Sequence, residues 1–126
     1  MRYLLVFLLL FGAASARANE VCTIVGGAKL VAQDDENTFL GEISDRYSSD
    51  SIFNEYGTYG SKYNTDSIWN EYGEFGSEYA SYSPFNDYSS APPMIIKGGN
   101  VIGYLTTNKS ISSSITPNML KALCGE

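Results

Sequence analysis

The sequence predicts a mainly β domain. Two β-hairpins flank three 16-residue turn repeats with single-turn helices, and a short C-terminal helix closes the chain. Three observations predict this: a repeat held at a fixed interval, a pair of strand-turn-strand patterns on either side of it, and a capped apolar segment at the end.

The repeat lies in residues 47–90. Tyr47, Tyr63 and Tyr79 stand sixteen residues apart, as do Ser51, Ser67 and Ser83. Phe53, Trp69 and Phe85 keep the interval, followed by Asn54, Asn70 and Asn86, then Glu55, Glu71 and Asp87, then Tyr56, Tyr72 and Tyr88. Such strict spacing marks duplicated structure. Glycine recurs after each of the first two Asn-acid-Tyr runs, which disfavours a long helix or strand. Ser51 or Ser67 reads as the N-cap of one helical turn, with Gly57 or Gly73 as its stop. One copy cannot bury its aromatic residues alone, but stacked copies can.

The first hairpin spans 28–44, with strands at Lys29 to Gln33 and Thr38 to Ser44 around the turn Asp34-Asp35-Glu36-Asn37. The second spans 92–108, with strands at Met94 to Lys97 and Val101 to Thr107 around Gly98-Gly99-Asn100. Both outgoing strands carry glycine at the same place, Gly41 and Gly103, which predicts a bulge or close approach. The hairpins are expected to pack in one sheet or small barrel. At 116–125, Thr116 can cap a helix, Pro117 suits its first position and Gly125 can end it. Met119, Leu120 and Leu123 offer its apolar face.

Residues 1–18 read as a signal peptide: Arg2, an apolar run from Tyr3 to Ala14, and small residues suited to cleavage after Ala16 or Ala18. The alternative is a retained anchor, for which the apolar run is short. Residues 19–126 then form a single small domain, secreted or periplasmic. Its two cysteines, Cys22 and Cys124, read as a structural disulfide; metal ligation and reactive thiols are the rival readings. The mature chain carries six basic and 14 acidic residues, a net charge near −8. That disfavours nucleic acid and anionic membrane surfaces as partners.

The wording Leu-Gly-x-Ile-Ser, tandem Tyr-x-x-x-Ser-Ile-aromatic-Asn-x-Tyr-Gly-x-aromatic-Gly-Ser, then Ser-Pro-Phe-Asn-x-Tyr and Gly-Asn-x-x-Gly-Tyr-Leu-Thr-x-Asn-Lys resembles a family of small bacterial domains, often secreted and uncharacterised. It covers about residues 28–109. The resemblance implies a bacterial, exported protein and carries no catalytic residue, cofactor or substrate. Gly98-Gly99-Asn100 departs from the Asp-Gly-Asn of that pattern.

The chain has no histidine, so the usual Ser-His-Asp and Cys-His arrangements are absent. No catalytic residue, metal site or cofactor is assigned. Glu55, Glu71 and Asp87 are equivalent carboxylates that two stacked copies could pair as acid and base. The acidic turn at Asp34 lacks the ligand order of an EF-hand loop. Asn108-Lys109-Ser110 fits the N-glycosylation pattern, relevant only in a eukaryotic secretory route.

Residues 47–88 hold twelve aromatic rings in 42 residues. They are core, or partly a surface. Exposed rings beside Asn and carboxylates suit sugar faces and protein partners. The candidate binding residues are Trp69, Tyr72, Asn70, Tyr56 and Phe53. The expected function is a non-enzymatic binding or interaction module for an unknown protein or polysaccharide. A carbohydrate or peptidoglycan binder, and an inhibitor or small hydrolase with paired carboxylates, are the alternatives.

Overall fold

The computed structural model describes residues 20–125. The signal-peptide reading of residues 1–18 lies outside them. The chain begins with helical residues 20–25, here α1. Strands β1 (Lys29–Val31) and β2 (Phe39–Glu42) form the first hairpin. Strands β3 (Met94–Lys97) and β4 (Asn100–Leu105) form the second. Strand β5 (Ser114–Ile115) and helix α2 (Pro117–Cys124) follow. The strands make one sheet in the order β2-β1-β3-β4-β5. The fold is thus mainly β with a short C-terminal helix.

The hairpins join through antiparallel β1 and β3, with Leu30 opposite Ile95. Both glycines mark bulges, as their position in the sequence predicts. Leu30 faces Gly41 while Val31 faces Phe39, which leaves Leu40 as the extra residue. Ile95 faces Gly103 while Ile96 faces Val101, which leaves Ile102 as the extra residue. Each outgoing strand then gains a parallel neighbour one residue later, Ser51 beside Glu42 and Ser114 beside Tyr104. At Gly41 (φ +114°) a Cβ would meet Tyr59 and Ile52 within 2.8 Å, so the glycine lets the repeats close on the sheet.

The repeats form neither helix nor strand. Each copy is a run of consecutive tight turns. Backbone N–H groups bond the carbonyl three residues back: Ser51 to Ser48, Asn54 to Ser51, and Gly57 to Asn54. The leading side chain of each turn then takes the N–H two residues on. Ser51 Oγ accepts from Phe53 N at 3.0 Å, and Asn54 Oδ1 accepts from Tyr56 N at 3.1 Å. The same bonds recur at Ser67, Asn70, Ser83 and Asn86. Where a single helical turn is expected, the cap is therefore real but the helix is not. Ser and Asn satisfy the backbone locally and offer it an alternative to the helix.

This explains the interval. Four steps of three residues carry the chain from Asp45 to Gly57, and a four-residue step closes the copy, with Ser61 N bonded to Gly57 O. The longer step needs glycine. A Cβ on Gly60 would lie 2.0 Å from the Asn54 carbonyl oxygen, and one on Gly76 2.1 Å from that of Asn70. Each Asn side chain also donates to the carbonyl six residues back: Asn54 to Ser48, Asn70 to Asn64, Asn86 to Ala80.

The ribbon of turns packs on the sheet through one row of equivalent residues, Ile52, Ile68 and Pro84, all buried. They join Leu30, Leu40, Ile43, Ile95, Leu105 and Leu120 in the core. Pro84 O accepts from Thr107 N, and Ser89 O accepts from the Asn108 amide. The ribbon thus starts beside β2 and ends beside the exit of β4. Asn108, the glycosylation candidate, is a strut between the two.

The disulfide joins Cys22 in α1 to Cys124 in α2 across 102 positions. In the chain-entropy model such a loop contributes about 4–5 kcal/mol. Thr116 caps α2 by accepting from Met119 N. Of the apolar face read for this helix, only Leu120 is buried; Met119 and Leu123 point to water.

Candidate functional site

Every aromatic ring of residues 47–88 is the third residue of its turn, two after the residue that leads it. A three-residue step turns successive rings to different sides. Rings led by Ser51, Ser67 and Ser83 turn inward. Those led by Asn54, Asn70 and Asn86, and by Asp45, Ser61 and Ser77, turn outward. The result is two rows of tyrosine, Tyr47/Tyr63/Tyr79 and Tyr56/Tyr72/Tyr88, each ring 78–99% exposed. Isolated exposed rings are ordinary, but six at repeat-equivalent positions make a surface.

Open grooves recur along this surface. In the first copy Tyr47, Phe53, Glu55 and Tyr56 line one of 730 Å³. In the third copy the equivalent Tyr79, Phe85, Asp87 and Tyr88 line one of 310 Å³. Between them a groove of 610 Å³ runs from Trp69 and Tyr72 to Tyr79 and Phe85, with Glu71 and Glu78 on its walls. The carboxylates Glu55, Glu71 and Asp87 line three different grooves, one each. Among the described residues no group of acids and cysteines gathers as a metal site.

The five candidate residues divide. Tyr56 is 99% and Tyr72 90% exposed. Phe53 is buried at 7%. Trp69 is half-buried: its indole N–H donates to Ile52 O at 2.6 Å, and its ring meets that of Phe85 at a 58° tilt with centroids 5.9 Å apart, so it ties the three copies together. Asn70 is half-buried with both ends of its amide engaged. Tyr47, Tyr63, Tyr79 and Tyr88 belong to the exposed face and were not singled out by composition. The three-residue phase of the turns would have found them.

Charge on the face follows the repeat unevenly. The residue before the first tyrosine of each copy is Arg46, Lys62, then Glu78. The Arg46 guanidinium lies 5.1 Å from the Tyr47 ring centroid and donates to its hydroxyl at 3.0 Å. The Lys121 ammonium lies 5.0 Å over Trp69. A hydrogen bond to Glu78, and its negative charge, push the Tyr79 hydroxyl above its ordinary range. Burial, with Asp50 and Asp66 nearby, does the same to Tyr59, whose ring meets Phe39 edge-on at 5.0 Å.

Away from this face, the acidic hairpin turn is self-satisfied. Asp34 accepts from both the N–H and the hydroxyl of Thr38. Burial alone would raise its pKa, but these bonds outweigh it and hold the carboxyl below the ordinary carboxylate range.

The fold and its face define a disulfide-closed β-sheet domain that carries a ribbon of turns with one wet aromatic side. No family model, curated protein or solved structure matches the chain. Among the described residues no helix is long and apolar enough to cross a membrane.

Proposed function

We propose that this is an exported, non-enzymatic binding module whose ligand face is the double row of tyrosines, and that its ligand is a glycan polymer. The observation that carries the reading is the six exposed rings at repeat-equivalent positions. A sugar ring offers an apolar C–H face to an aromatic ring and hydroxyls to neighbouring amides and carboxylates. Repeated grooves suit a repeating ligand, because each added contact acts at high effective concentration. Export is supported by the leader-like residues 1–18 and by the disulfide. A secreted or periplasmic site of action follows from the same features.

The test is retention of the purified mature chain on insoluble peptidoglycan, chitin and cellulose, with released sugar assayed in parallel. Retention without released sugar supports the reading. Released sugar points instead to hydrolysis, for which Glu71 and Glu78 on one groove are the residues to replace. No retention on any polymer shifts the face to a protein partner, where exposed tyrosine is also enriched.

A further inference from the structure

We propose that the glycan carries free amines, and that the groove of the second and third copies is the place where they are held. This rests on the glycan reading above.

The chain itself shows what these rings accept. A guanidinium lies over Tyr47 in the first copy, and the Lys121 ammonium lies over Trp69 in the second. A cation over an aromatic face is held by the ring quadrupole. Arg46 and Lys121 both line the first copy's groove, and Lys121 reaches from there over Trp69 on the wall of the next. Beyond Trp69 no basic side chain lines the later grooves, and carboxylates do: Glu71 and Glu78 on one, Glu78 and Asp87 on the other. Glu78, Tyr79 and Phe85 line both, so the two grooves are neighbours. The sign change from Arg46 and Lys62 to Glu78 converts a position that supplies a cation into one that receives it. Rings and carboxylates together match an ammonium group on a sugar ring: the aromatic face takes the C–H patch, and the acid takes the charge.

The experiment compares two soluble oligomers of one backbone, a β-1,4-linked N-acetylglucosamine hexamer and its deacetylated glucosamine counterpart. Each is titrated into the disulfide-intact mature chain at moderate salt, with Trp69 fluorescence and calorimetry as readouts. The proposal expects the deacetylated hexamer to bind about tenfold tighter or better, as two ion pairs and stacked ammonium groups supply. The double variant Glu78→Gln/Asp87→Asn should bring the ratio of the two affinities close to one, and an undiminished ratio overturns the site. Both residues are exposed, so the variant folds. The variant Glu20→Gln/Asp50→Asn changes net charge equally at exposed acids that line none of these grooves, and should lose nothing. Equal affinity for the two hexamers overturns this inference and leaves the glycan reading standing. Binding of neither overturns this inference, and the retention test on the three polymers then decides the glycan reading separately. An equal loss in the Glu20→Gln/Asp50→Asn variant assigns the effect to overall charge and overturns the site. Tighter binding of penta-lysine, with the same dependence on Glu78 and Asp87, overturns the sugar in favour of a basic peptide.

Discussion

Asn70 illustrates how one residue type can be read two ways. On sequence it stands among aromatic residues and suits sugar hydroxyls. In the fold its Oδ1 accepts from Tyr72 N and its Nδ2 donates to Asn64 O, so it brackets two turns of backbone. Asn70→Ala should therefore cost about 1–2 kcal/mol, seen as a lower Tm, and should weaken binding only through that loss. Gly60 is constrained more tightly. The Asn54 carbonyl oxygen occupies the space of any Cβ, and it is backbone that cannot swing away. Gly60→Ala should destabilise by about 2–3 kcal/mol in denaturant unfolding. Asp34 adds a pH dependence. Its folded pKa is lowered, so its contribution is present above the unfolded value and is lost as pH falls through the folded one. The Tm gap between the wild type and Asp34→Asn should be open at neutral pH and close in acid.

At the scale of elements, the ribbon of turns divides its aromatic residues by phase. Trp69 lies on the inner side, with its N–H on Ile52 of the preceding copy and its ring on Phe85 of the next. Trp69→Ala should cost about 3 kcal/mol, a fall of roughly 10 °C or more in Tm. The four hairpin strands, to within one or two residues at their ends, the hairpin turns, the bulge glycines, the caps of α2 and the existence of the repeat were legible in the sequence. Each rests on local chemistry that acts within a few residues. The repeat's conformation was not legible. A serine that caps a helix and a serine that leads a tight turn accept the same kind of N–H, so Ser51 followed by Gly57 fits both. Strand β5 was missed because two residues carry no period, and they pair only because the outgoing strand offers an edge. The apolar face of α2 was over-read, since Met119 and Leu123 lie exposed while Leu120 is buried. Which rings are wet depends on the three-residue step, and that became visible only with the hydrogen bonds.

For the whole molecule, the sheet and the ribbon have separate duties. Two hairpins with matching bulges make the platform. The ribbon crosses it from β2 to the exit of β4 and turns six tyrosines away from it. The disulfide closes the platform at the opposite ends of the chain. The measurement that tests this division most directly is made on Tyr56→Ala/Tyr72→Ala/Tyr88→Ala, by polymer retention and melting together. A retained Tm with lost retention on the polymer that holds the wild type is the predicted result. A large fall in Tm, or undiminished retention by the folded variant, would contradict the assignment of these tyrosines to the ligand.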